Sequence, residues 1–137
     1  MFLEAMASCT AVTYVEGELV GDPLDVKMFE KTGWMLDETD QSLVSVSGED
    51  QLVIAYVYPE ELKHHEIQNV GYGSMSSSDA ENSGRPSSKP YKSALIRRFD
   101  FSSSLQRMSV ICKNQFDGKF KAFVKGSPEM ISSLCQP

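Results

Sequence analysis

The 137-residue chain has few of the groups that most chemistry requires: three cysteines, two histidines and one tryptophan. Cys9, Cys112 and Cys135 are odd in number and widely spaced, with no Cys-x-x-Cys. That pattern predicts neither a structural zinc site nor a redox pair. Three free thiols fit a reducing compartment, and the cytosol is the expectation. His64 and His65 are adjacent, so on a helix they would not share a face, which argues against a two-His metal site. Long apolar runs are missing too. The longest, Leu52–Tyr58, has seven residues, far short of the roughly 20 that cross a bilayer. Met1-Phe-Leu-Glu lacks the basic region of a secretory signal. Basic residues are the minority, 13 Lys and Arg against 19 Asp and Glu, for a net charge of −6. A general nucleic-acid binder would carry a basic face, so that class is not expected. A phosphate ligand stays open, because a few placed cations and backbone N–H groups can hold one.

Signature loops are absent as well. There is no G-x-x-x-x-G-K-[ST], no G-x-G-x-x-G, no H-E-x-x-H and no G-x-S-x-G. No Ser–His–Asp or paired-carboxylate arrangement stands out. Catalysis carried wholly by this chain is not expected, and no catalytic residue is assigned.

What is present reads as one α+β domain over residues 1–137. Phe2 to about Val12 is a predicted helix with Phe2, Leu3, Ala5, Met6 and Cys9 on its apolar side. Glu16–Glu18 is a turn or strand entry. A second helix starts at Gly21-Asp-Pro. Asp22 suits the N-cap, Pro23 the first helical position, and Asp25 the third. Leu24, Met28 and Phe29 supply its apolar face, and Gly33 suits a left-handed C-cap. Trp34–Glu38 and Gln51–Tyr58 are predicted strands, joined by a polar loop over 39–50. Residues 71–90 hold seven Ser, three Gly and two Pro in 20 positions. That composition buries little apolar surface, so a disordered surface insert is expected. Ala94–Phe101, Arg107–Lys113 and Phe120–Val124 are predicted strands of a mostly antiparallel sheet. Asp117-Gly118 marks the last hairpin turn. Ser127 then caps a short helix from Pro128 to Cys135.

Some residues carry two readings. Lys125-Gly-Ser127 places a cation and a permissive backbone beside a helix N-terminus. The spacing by itself favours an ordinary strand-to-helix connection with an exposed lysine. Phe99 and Phe101 lie two apart, so regular alternation puts both on one strand face. Core packing is the default for both, and base stacking by an exposed Phe101 is the alternative. Asp22 reads as a cap. Asp25 is free to point into a cleft and accept from an exocyclic amine.

Taken together, these segments resemble the nucleotide-binding (N) domain of P-type ATPases. Phe123–Glu129 (FVKGSPE) is similar to that family's Lys-Gly-Ala-Pro-Glu motif. Phe101–Val110 (FSSSLQRMSV) is similar to its Phe-Ser…Met-Ser-Val strand pair, and Gly21–Asp25 (GDPLD) to its Gly-Asp/Glu-Pro-x-Glu helix start. The wording of Gly21–Trp34 most resembles the fifth class of these pumps, B branch, the endosomal, lysosomal or vacuolar polyamine transporters. The resemblance implies that Phe101 stacks on adenine and Asp25 bonds its amino group. It also implies that Lys125 lines the pocket near base and phosphates, that Gly126 gives close backbone approach, and that Arg107 lies near the phosphates. Gln106 stands where many pumps have a lysine beside the nucleotide, and Ser127 replaces the usual alanine.

The resemblance further implies ATP or ADP as ligand, with Mg²⁺ held mainly by a phosphorylation domain outside the chain. That domain and the actuator domain of the same pump are the expected partners. The family's Asp-Lys-Thr-Gly-Thr and Gly-Asp-Gly motifs are not in this sequence. The expectation is therefore one monomeric, membrane-free domain of a larger pump, with Met1 as an introduced start. In the intact protein it would face the cytosol from a late endosomal, lysosomal or vacuolar membrane. A different class of reading makes the chain a non-enzymatic interaction module that recruits partners through the Ser-rich insert.

Overall fold

The computed structural model describes residues 1–39, 43–46, 48–62 and 91–136. The expected insert at 71–90, and any partner recruitment through it, fall outside the described residues, as do His64 and His65. The elements run α1 (Phe2–Ser8), β1 (Thr13–Val15), β2 (Glu18–Val20), α2 (Pro23–Thr32), β3 (Trp34–Asp37), β4 (Leu43–Val46), β5 (Glu49–Leu52), β6 (Ala55–Pro59), β7 (Ser93–Ser102), β8 (Arg107–Asn114), β9 (Phe120–Gly126) and α3 (Pro128–Leu134). Five strands form the main sheet in the order β3-β6-β7-β8-β9. Every neighbouring pair in it is antiparallel. The expected α+β class is the observed one.

Alternation divides the core between the two sheet faces. Along β6, Ala55 and Val57 join a cluster with Ala7, Phe29, Leu95 and Val110, so α1 and α2 cover that face. Tyr56, between them, joins a second cluster with Val44, Val53, Ala94 and Ile96. β8 alternates in the same way, burying Met108, Val110 and Cys112. Burial holds the Cys112 thiol neutral, its pKa pushed up to about 12. The Cys9 thiol is raised for the same principal reason.

Three expectations need correction. The polar loop over 39–50 contains a hairpin: β4 pairs with β5, Leu43 opposite Leu52. Gly48, at φ 86°, supplies the left-handed residue its turn requires. The strand expected over Gln51–Tyr58 is divided, because β5 belongs to that hairpin and β6 to the main sheet. The break falls at Val53, 1% exposed, which packs in the second cluster. On α1, Phe2 and Leu3 are exposed, while Glu4, Ala7 and Ser8 are buried. The reversal has an electrostatic cause. The Glu4 carboxylate accepts from Ser93 Oγ at 2.6 Å, Tyr91 OH at 2.6 Å and Lys121 Nζ at 2.8 Å. A charge so paired can be buried, and it ties α1 to β7 and β9.

The caps match their local signals. Asp22 accepts from the Leu24 N–H at 2.9 Å, Pro23 opens α2, and Gly33 closes it at φ 65°. Ser127 Oγ accepts from the Met130 N–H at 3.4 Å at the start of α3.

Candidate functional site

The start of α2 is anchored by a close approach. A Cβ on Gly21 would lie 2.9 Å from the Ala11 carbonyl oxygen, so the chain after α1 runs directly against the helix entry. Asp22 is spent on the cap. Asp25, at the third helical position, turns inward and is 6% exposed. Its Oδ2 accepts the Ala11 N–H at 3.1 Å. Its Oδ1 accepts a charge-assisted hydrogen bond from Lys125 Nζ.

Lys125 reaches this point from β9, paired across the ladder with Met108 of β8. Phe101 comes from the end of β7. Its ring is 62% exposed. These side chains converge on a cavity of about 350 Å³ lined by Ala11, Asp22, Leu24, Asp25, Phe101, Met108 and Lys125. Its apolar lining includes Leu24, Met108 and the Phe101 ring. Its polar lining includes the Asp25 carboxylate and the Lys125 ammonium in mutual contact. Such a site can stack a flat ring and bond a donor at its edge.

The default of core packing fails for both phenylalanines, since Phe99 is also 44% exposed. The expectation that they share a face fails as well. The β7–β8 register shifts between Phe99 and Ser102, a bulge that breaks the period of two. Phe99 instead lines a separate cavity of about 200 Å³ with Asp100, Leu105, Arg107, Met108 and Ser109. The Arg97 guanidinium lies 5.0 Å from its ring centre.

The remaining sequence candidates are placed differently. Arg107 lines the Phe99 cavity, and its Nη1 donates to Met130 Sδ at 3.5 Å. Gln106 lines neither cavity and has φ 48°, a left-handed conformation unusual for its type. Its backbone oxygen accepts the Ser127 N–H at 3.0 Å, and its Oε1 accepts from Ser127 Oγ at 3.2 Å. Gly126 has a structural reason to be glycine. A Cβ there would stand 2.4 Å from the Gln106 carbonyl oxygen and 2.9 Å from Arg107 Cβ. Close approach does occur at Gly126, and it is to β8. Ala11, Leu24 and Met108 are cavity residues that sequence reasoning missed. Leu24 and Met108 sit inside the motifs that carried the resemblance. Ala11 has no such signal, because its position follows from how the chain packs beside Gly21.

The described residues contain no helix long and apolar enough to cross a membrane. Residues 85–137 match the family model described as P-type ATPase, cytoplasmic domain N. Curated relatives align over nearly the whole chain. Polyamine-transporting ATPase 13A3 of Mus musculus is 35% identical over 136 residues, 99% of this chain and 10% of its own length. The protein of the same name from Homo sapiens is 37% identical over the same share of each chain. The vacuolar cation-transporting ATPase YPK9 of Saccharomyces cerevisiae is 33% identical over 146 residues, 98% of this chain and 9% of its own length. The chain thus spans about a tenth of the length of the curated relatives it matches. A strand pair, a Lys-Gly connection and a capped helix in the order expected, with relatives in the branch expected, place the chain in a family: it belongs to the P-type ATPases, as their cytoplasmic domain N.

Proposed function

We propose that the chain is the ATP-binding domain of a P-type cation or polyamine transport ATPase. The observation that carries this reading is the convergence of Asp25, Phe101 and Lys125 on one cavity of about 350 Å³. That volume falls within the roughly 300–1,000 Å³ of small-molecule sites. The exposed Phe101 ring offers a stacking face for adenine. Asp25 offers an acceptor for the exocyclic amine, and Lys125 a cation for the phosphates. Arg107 and Gln106 do not line that cavity. They are assigned to the periphery of the site, where a phosphate chain leaving it would pass.

Phosphoryl transfer depends mainly on positioning and charge neutralisation. This domain supplies the positioning, holding ATP so that its γ-phosphate reaches an aspartate in a separate phosphorylation domain. Among the described residues, no group of three or more His, Cys, Asp or Glu is placed to hold a metal ion. The ion that accompanies ATP is assigned mainly to the phosphorylation domain, where Mg²⁺ would be held by one or two carboxylates together with the phosphates. The actuator domain of the same pump is the other assigned partner. The intact protein would present this domain at the cytosolic face of an endolysosomal or vacuolar membrane. The domain alone is expected to bind ATP or ADP without turnover.

An NMR titration with ATP tests the reading. Binding at about 0.1–10 mM, or about 3–5 kcal/mol, is expected without the partner domain's contacts. Amides around Asp25, Phe101 and Lys125 should move. No shift at high millimolar ATP, or shifts elsewhere only, would reject the assignment.

A further inference from the structure

We propose that Asp25 and Lys125 form a selectivity gate, a carboxylate–ammonium pair lining one cavity that is opened by a ligand carrying both an amine donor and an anion. The inference rests on the ATP reading above and deepens it.

Both Asp25 oxygens are engaged. Oδ2 holds the Ala11 N–H, a bond that fixes the segment after α1 against α2. Oδ1 is the oxygen available for exchange, and Lys125 Nζ holds it. A neutral amine seeking Oδ1 therefore meets a charge-assisted bond, roughly twice as strong as a neutral one. The two partners differ in freedom. Asp25 is 6% exposed on a helix held at both caps and at Gly21. The Lys125 side chain is 35% exposed on a flexible stem. Lys125 is thus the partner that moves. An anion outside the cavity draws the ammonium away and frees Oδ1 for the amine. Each interaction then strengthens the other, and such coupling is reciprocal. A bare nucleoside or a free polyphosphate receives only half of this, so the cavity favours the adenine nucleotide.

The probes are adenosine, pyrophosphate and ATP, titrated into the 137-residue chain and followed by NMR at the Phe101 cavity. Saturating pyrophosphate should tighten adenosine roughly fivefold or more in the unaltered protein. Lys125→Met should tighten adenosine while losing the advantage of ATP over it. Asp25→Asn should do the reverse, tightening pyrophosphate and weakening adenosine. Neither a structural role nor independent contacts would produce that crossed pattern. Pyrophosphate that leaves adenosine affinity unchanged, or weakens it, overturns the gate even where a variant fails to fold. ATP that binds at Phe101 without this coupling removes the gate alone. ATP that moves no amide there removes the ATP reading and the gate with it.

Discussion

Glu4 and Lys121 stand 117 positions apart in the chain and meet at 2.8 Å. Glu4 is 1% exposed, and the contact draws α1 onto the edge strand β9. Burial alone would raise the Glu4 pKa. The hydrogen bonds from Lys121, Ser93 and Tyr91 outweigh it and hold the value below the ordinary 4.5. The Lys121 ammonium is raised above its ordinary 10.5, chiefly by its bond to Glu4. The network's contribution is therefore present between those limits. Because the folded Glu4 value is depressed, stability should decline as pH falls below about 4.5 and through the folded value. Because the folded Lys121 value is raised, stability should also decline as pH climbs past 10.5. Urea midpoints across pH measure both limbs. Lys121→Met should cost about 3 kcal/mol at neutral pH and flatten the alkaline limb. A midpoint unmoved by that substitution would deny the network a role in stability.

Phe101→Ala should leave the fold intact, since an exposed ring contributes little to it. ATP and ADP should weaken alike, by about 1–3 kcal/mol. Phe99→Ala should leave nucleotide affinity unchanged, because Phe99 lines the other cavity. Calorimetric or NMR titration of both variants separates the rings. Equal losses from the two would contradict the division made by the bulge.

Gly126→Ala places a methyl 2.4 Å from the Gln106 carbonyl oxygen. The obstacle is backbone, so β8 or β9 must shift. A loss of about 1–3 kcal/mol in urea unfolding is expected. Unchanged stability with weakened nucleotide binding would instead make Gly126 a site of ligand approach.

Phe29 is 2% exposed at the junction of α2 with the main core. Phe29→Ala should cost about 3–5 kcal/mol by lost transfer energy and a residual cavity. Thermal unfolding with retained secondary structure at low temperature would register it. A loss below about 1 kcal/mol would mean that α2 contributes little to the core.

The pieces legible in the sequence are those with short-range signals. The caps at Asp22, Gly33 and Ser127 follow from residues within one turn of them. β8 and β9 follow from alternation, β7 from its run of strand-forming residues, and the hairpin turn at Asp117-Gly118 from its own residues. The 39–50 segment misled because its polar composition outweighed a hairpin that only Gly48 and a few apolar residues signal. α1 misled because Phe2 and Leu3 were read into its apolar side, while the buried side holds Glu4. Its burial depends on Lys121, Tyr91 and Ser93, which no local pattern ties to position 4.

Sequence alone determined the α+β class, the order of the three motifs and, through them, the family. Those properties reside in local preference and in wording, and both survive without coordinates. Tertiary structure alone decided that Asp25 and Lys125 meet across 100 positions and that Phe101 shares their cavity while Phe99 does not. The physical reason is register. Which side chains converge depends on strand pairing and on one bulge between Phe99 and Ser102, and a shift of one residue reverses a strand's faces without changing its pattern.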